Sequence, residues 1–393
     1  MLVELAVGDA YGAGFEYVAA DEVATGNTLR GYVRHPRHHG LHPGDYTDDT
    51  QQSLAIAELL VSGQAWTRRE VAARLVEVFH RDPREGYARG FAGLLRGVGD
   101  GDELLRLIRP HSDKSGAAMR AGPIGLLPTV ADVVHHARLQ ARITHDTPSG
   151  VEGAVAAALA VHYCHADLGP VPEIGAWVER QVLAGGGSGG WAVPWEGPVG
   201  AKATMSVRAA LTAIAGGDRL SEILRTCVAF TGDVDTVATI ALAAASRSPR
   251  IARDLPAALV RGLENGPYGR AYLWRLDAQL LSAVSPPASA ASLLGTWDDG
   301  SLYLGAMESD GVAFLPDGTG WFEHANALAT EREPFSWRAE GSGRIVVHRQ
   351  SGEDSAFSVR TGRGTNALDE DVRILTMTGS GGEQRRYAPC LDH

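Results

Sequence analysis

Two short segments carry carboxylates and hydroxyls at a spacing suited to cation chemistry: Gly44-Asp45-Tyr46-Thr47-Asp48-Asp49-Thr50 and Thr231-Gly232-Asp233-Val234-Asp235-Thr236. Each leads into an apolar run, Leu54 to Val61 after the first and Val237 to Ala245 after the second. Thr and Asp cap helix starts, so both segments are expected where a loop turns into a helix. A cap uses one oxygen, and carboxylates crowded beyond that need repel one another unless a cation is present. Hard cations such as Mg²⁺ or Mn²⁺ take carboxylate, hydroxyl and water oxygens. Two such helix starts brought together would hold one or two of them. Taken singly, either segment also reads as an over-acidic cap stabilised by its helix dipole.

The elements that must position these groups are helical. Leu2 to Phe15 has small residues at Gly8, Ala10, Gly12 and Gly14, where one helix can approach another backbone closely. Glu16 falls in the loop beyond and, by residue type alone, reads as a solvated carboxylate. Asn27 to His42 lacks periodicity and holds His35, His38, His39 and His42; with Pro36 and Pro43 and no cysteine nearby it reads as a solvated loop beside the acidic segment rather than a zinc site. Gln52 to Arg109 follows the 3.6-residue period, with a cap at Thr67. Further helices are expected over Ala131–His145, Val151–Tyr163, Thr204–Ala215, Leu220–Phe230 and Arg253–Leu281, the last broken near Gly266-Pro267. His111 to Arg120 is a hydroxyl- and glycine-bearing loop opening a run of small residues, an arrangement whose backbone N–H groups can receive phosphate, although it lacks a Walker spacing. The glycine run Gly185 to Gly190 is expected to be flexible.

A chain of 393 residues suggests two domains. The boundary is placed at Ser285-Pro286-Pro287-Ala288-Ser289-Ala290, giving a helical domain over 1–284, a linker over 285–292 and a small all-β domain over 293–393. Beyond the boundary the period falls to 2. Strands are expected at Ser301–Met307, Val312–Leu315, Thr319–His324, Phe335–Ala339, Arg344–Arg349, Ala356–Thr361 and Val372–Thr378, forming an antiparallel barrel or sandwich. Gly295-Thr296-Trp297 is similar, over three residues only, to the start of lipocalin-like barrels. The fold class is therefore mainly α with a β appendage.

The formal net charge of −11 argues against general electrostatic binding of nucleic acid. Cys164, Cys227 and Cys390 are far apart and fit reduced thiols rather than a disulfide framework. The start of the chain lacks a signal-peptide pattern, and no apolar run is long enough to span a membrane, so a cytoplasmic location is expected.

Residues 1 to about 280 resemble the ADP-ribosylglycohydrolase family. The resemblance rests, in the family's order, on Gly8-Asp9-Ala10-Tyr11-Gly12 with Glu16, Thr47-Asp48-Asp49-Thr50, Lys114-Ser115-Gly116-Ala117-Ala118-Met119-Arg120 with Pro123, Thr144-His145, and Gly232-Asp233-Val234-Asp235-Thr236. It implies an all-α domain with two Mg²⁺ or Mn²⁺ ions held by Thr47, Asp48, Asp49, Asp233, Asp235 and Thr236. Glu16 would reach the site from a mobile loop, Ser115 and Gly116 would contact the diphosphate, and His145 would line the ADP-ribose pocket. Glu16, Asp48, Asp49 and Asp235 are the candidate catalytic groups, and the substrate would be an ADP-ribosylated protein or small molecule. Thr231-Gly232 departs from the more usual Gly-Gly, and Lys114 stands where a glycine is often found. Two rival readings are a protein that binds ADP-ribose without hydrolysing it and a two-metal hydrolase acting on a related nucleotide.

Overall fold

The helix Val234–Ala245 is the axis of the first domain, and all of its residues are buried. Alanines and aliphatics on every side let other helices pack around it, which is how an all-round apolar helix becomes a core element. The N-terminal helix Leu2–Ala13 lies against it in intimate contact. Gly8 is required there: a Cβ would stand 2.7 Å from the carbonyl oxygen of Ala238. At Gly12 a Cβ would collide with the Cα of Asp235. The small residues of the first helix therefore bring its backbone onto the start of the second acidic helix.

The computed structural model describes residues 1–284, 290–303, 307–340, 343–368 and 370–390, and the chain divides into two units, Met1–Val284 and Ser285–His393. Most of the proposed linker, residues 285–289, lies outside the described residues; Ala290–Leu293 forms a short helical turn. In the first unit the helix Asp48–Ser62 starts at the first acidic segment. The long apolar pattern that follows divides into Arg68–Arg81, Arg89–Gly97 and Gly101–Leu107, with Thr67 accepting from the Glu70 amide as its cap. The helices Val130–Thr144, Pro148–His165, Ala203–Gly216 and Leu220–Ala229 lie where periodicity put them. The final pattern breaks into Ala257–Gly262 and Arg270–Val284.

The run after Ser115 is a four-residue helix, Gly116–Met119, followed by a 3-10 turn at Gly122–Leu126 where Gly122 and Pro123 interrupt it. Two local expectations are corrected. The Gly185–Gly190 loop is tied down: Ser188 bonds Glu152, and the Gly190 amide donates to Glu179 at 3.0 Å. His35 is buried rather than solvated.

The second unit is a closed barrel of eight antiparallel strands in sequence order. They are β1 (Gly295–Asp298), β2 (Glu308–Phe314), β3 (Thr319–Asn326), β4 (Thr330–Ala339), β5 (Arg344–Arg349), β6 (Asp354–Thr365), β7 (Asp371–Thr378) and β8 (Gln384–Pro389). Closure, not a sandwich, removes the unpaired edges. Of the strand expected at Ser301–Met307, the described residues Ser301–Tyr303 and Met307 are turn and bend, and residues 304–306 lie outside the described residues. Both closing strands, β1 and β8, are missing from the sequence reading; the alternation in Gln384–Pro389 is obscured by charged and exposed residues. The three cysteines are free thiols.

Candidate metal centre and substrate cleft

Asp9 is the buried post on which the first acidic segment hangs. It sits inside the N-terminal helix and is fully inaccessible. Its carboxylate accepts four hydrogen bonds: from the Thr47 amide at 3.0 Å, the Thr47 hydroxyl at 2.8 Å, the Thr50 amide at 3.0 Å and the Thr50 hydroxyl at 2.6 Å. Burial pushes its pKa up against the pull of those bonds. Thr47 caps the helix by accepting from the Asp49 amide, so its hydroxyl proton goes to Asp9. Asp48 is held from the other side, its amide donating to the Glu85 carbonyl at 3.0 Å and its Oδ2 accepting from Gln52 at 3.0 Å.

The second acidic segment is aimed by a strained turn. Thr231 and Gly232 both adopt positive φ, 64° and 89°. A Cβ at Gly232 would collide with the Val199 carbonyl. The same carbonyl accepts from the Asp233 amide at 2.9 Å, which fixes the direction of the Asp233 side chain. Asp233 Oδ2 in turn accepts from Ser115 and Ser206, each at 3.2 Å. The Gly232 carbonyl accepts from the Tyr17 amide at 2.9 Å, which docks the loop carrying Glu16. His35 anchors that loop as well, with Nε2 2.8 Å from the Glu16 carbonyl oxygen, while Nδ1 accepts from the Arg37 and His38 amides. That pattern of acceptors leaves His35 neutral with the proton on Nε2.

The two segments meet in a single cleft of about 690 Å³, whose lining includes Glu16, Asp48, Asp49, Asp233, Asp235 and Thr236. Glu16, Asp233 and Asp235 each place a carboxylate oxygen within 4.8 Å of the others. Asp48 and Asp49 face the same space but stand outside that tightest triplet. Burial, then the neighbouring carboxylates, pushes Asp48, Asp49 and Asp235 well above the usual range, and Glu16 up to about 7. So many buried acids sharing a few ångströms require positive charge or protons. Asp49 Oδ2 is buried with no hydrogen-bond partner among the described residues. A cation fits that orphaned oxygen.

Of the other sequence-selected residues, Ser115, Gly116 and His145 line the cleft, whereas Thr47 lies behind it with its hydroxyl turned to Asp9. Ser115 points its hydroxyl at Asp233, and its amide donates to the Ala201 carbonyl. His145 follows from Arg120. That guanidinium is fully buried and donates to Gln140, to Gln52 at 2.7 Å and to the Thr144 hydroxyl at 2.8 Å. The Thr144 hydroxyl, which accepts from Arg120, also lies 2.6 Å from His145 Nδ1. Burial, then the Arg120 charge, holds the His145 pKa down to about 3. The ring is neutral and turns Nε2 toward Gly116; with Thr144 donating to Nδ1, the ring proton is on Nε2.

Sequence reading assigned no role to Asp9, Gln52, Arg120 or Thr144. Asp9, Arg120 and Thr144 fall inside the motifs quoted above without a stated role, and nothing local marks Gln52. The lining also includes apolar side chains, Phe91, Leu94, Leu107 and Ile108, and the basic Arg109 and Lys114.

Residues 1–289 match the family model described as ADP-ribosylglycohydrolase. The chain belongs to the ADP-ribosylglycohydrolase family. Similar proteins include ADP-ribosylhydrolase ARH3 of Homo sapiens, 32% identical over 125 residues (30% of this chain, 34% of that protein). ARH3 of Xenopus tropicalis is 31% identical over 127 residues, or 30% and 36% of the two chains. An uncharacterized protein of Archaeoglobus fulgidus is 32% identical over 169 residues, 41% of this chain and 53% of that one. The matches thus span little more than a third of the ARH3 relatives. A solved structure described as an ADP-ribosylglycohydrolase-related protein complex is similar with a TM-score of 0.52 and 27% identity, covering 72% of this chain and 96% of that chain. The ADP-ribosylglycohydrolase unit is thus the helical domain, and the barrel lies beyond the matched residues.

Proposed function

We propose that this chain is a metal-dependent hydrolase that cleaves the glycosidic bond of an ADP-ribosylated protein or small molecule and releases ADP-ribose. The observation that carries the proposal is one cleft whose lining combines the carboxylates of both acidic segments with polar and basic groups and with apolar side chains. A ribose belongs at the carboxylates, a diphosphate beside Ser115, Gly116 and Lys114, and an adenine against Phe91 and Leu94. The cavity volume suits a ligand of that size.

Asp48, Asp49, Asp233 and Asp235, with Thr236 and Glu16, would hold Mg²⁺ or Mn²⁺. Ions bound there supply positive charge for the ribose oxygens and make a water molecule more acidic. The protein's own groups do the rest. Cleavage at the anomeric carbon passes through an oxocarbenium-like state, which a field of carboxylates favours. His145 presents its Nε2–H as a hydrogen-bond donor toward the substrate, and Arg120 orients Asp48 through Gln52. A carboxylate of the cluster moves the proton, and Glu16, carried on a loop, is placed to do so.

The test incubates the purified protein with Mg²⁺ or Mn²⁺ and a panel of carriers bearing ADP-ribose on arginine, serine, a nucleobase or a small metabolite. Free ADP-ribose is the expected product, lost with EDTA and reduced at least a hundredfold in Asp48→Asn and Asp49→Asn. Binding of ADP-ribose with no turnover on any carrier would overturn hydrolysis; inorganic phosphate as the product would point to a nucleotide hydrolase instead.

A further inference from the structure

The barrel carries a second cavity, of about 560 Å³, which opens to solvent beside Asp354 and Glu383. Followed strand by strand around the barrel, the register returns to β1 displaced by about 12 residues. An eight-stranded barrel with a shear of about 8 is filled by its own side chains, and greater stagger tilts the strands further and widens the bore. Strand pairing fixes which residues face inward. Trp297 opposes Val312, Val312 opposes Phe322, and Phe322 opposes Glu333, so these four share the inner face. By the same registers Phe335 brings in Arg349, Ile345 brings in Phe357, and Met377 brings in Arg385. The interior is therefore not uniformly apolar. Val347, Val359 and Leu375 pack with Trp297 as its core. Phe322, Phe357, Met377 and Tyr387 line the cavity with Glu333 and Arg349.

Both arginines of this cavity have a carboxylate partner, and one of their N–H groups is left over. Arg349 Nη1 pairs with Glu333 at 3.3 Å, Arg385 with Asp310 at 3.3 Å, and Asp354 with His348 at 2.6 Å. Glu383 sits on the exposed turn between β7 and β8. Arg349 Nε, by contrast, is buried and has no hydrogen-bond partner among the described residues. The guanidinium lies over the Phe322 ring, 5.2 Å from its centroid. A buried N–H on a cation wants an anionic oxygen, and the bond it would make is among the stronger kinds.

We propose that the barrel lumen is a binding site for a small organic anion, with an aromatic or aliphatic body against Phe322, Phe357 and Tyr387 and an acidic oxygen on Arg349 Nε. It is independent of the ADP-ribose cleft. The probe is 8-anilinonaphthalene-1-sulfonate, titrated into the full chain. The expected result is a saturable, one-site rise in fluorescence that laurate reverses and excess ADP-ribose leaves unchanged. Arg349→Met should weaken the site at least tenfold, and Ser355→Trp, which fills the lumen from β6, should abolish it. Near-ultraviolet circular dichroism identifies which variant keeps the native barrel, and that variant decides the matter. No saturable rise, displacement by ADP-ribose, indifference to laurate, or unaltered binding in a folded variant would each overturn the proposal. None of these readouts depends on hydrolytic activity.

Discussion

Asp49 sits where its charge is least welcome in the absence of a cation, and that makes its removal informative. Asp49→Asn deletes one negative charge from a buried group of like charges, so the metal-free protein should melt higher than wild type. The increment that Mn²⁺ adds to the wild-type melting temperature should shrink or vanish. The pH dependence has the same origin. Glu16, at about 7, binds its proton more tightly folded than unfolded, so the folded state holds more protons between about pH 4.5 and 7. Stability of the metal-free protein should therefore fall as pH rises through that window, and the stabilisation by divalent cations should grow with it. Calorimetry at pH 5 and 7, with EDTA and with Mn²⁺, reads both effects. A third outcome concerns Thr144. Thr144→Val removes the proton that fills His145 Nδ1, so nitrogen NMR should show the imidazole shifting from the pure Nε2–H tautomer to a mixture, with kcat/KM down about tenfold for the loss of about one oriented hydrogen bond.

At the scale of elements, glycines and one threonine set the geometry. Gly12→Ala places a methyl against the Asp235 backbone, separating two helices that have no slack. It should destabilise the domain by about 2 to 3 kcal/mol and abolish turnover, as denaturant titration and an activity assay will show. Thr231 is β-branched in the left-handed region, where L-residues pay roughly 1–2 kcal/mol. Thr231→Gly should relieve part of that strain and raise stability by about 0.5 to 1 kcal/mol, since the added backbone freedom of glycine offsets the remainder. Much of this level was legible beforehand. Thr47 and Thr67 announced their helix starts, the small residues of Leu2–Ala13 announced a close crossing, and alternation marked six of the barrel strands. What was hidden has a physical reason in each case. Arg120 and Gln52 act across helices, so no local spacing betrays them. Glu16 is half-buried and His35 buried by a loop that docks on Gly232, about 200 residues away. The closing strands β1 and β8 are short, and exposed residues break their pattern.

For the whole molecule, the two units have separate cores, one built on the helices and one inside the barrel. Residues 1–284 expressed alone should fold cooperatively and keep metal-dependent turnover on small ADP-ribosylated compounds; an insoluble or inactive fragment would show that the barrel completes the enzyme. The described lining of the cleft runs from Glu16 to Thr236, within the first unit.

The crossing of the first helix with Val234–Ala245 also sets an order of events during synthesis. A nascent chain exposes Leu2–Ala13 at once, yet the partner that covers Gly8 and Gly12 is made more than 220 residues later, roughly ten to fifty seconds at ordinary ribosomal speeds. Through that interval Asp9 can hold Thr47 and Thr50, but one flank of its helix stays bare. Stalled ribosomes carrying chains that end before and after residue 245 should differ sharply in protease resistance and in recruitment of chaperones.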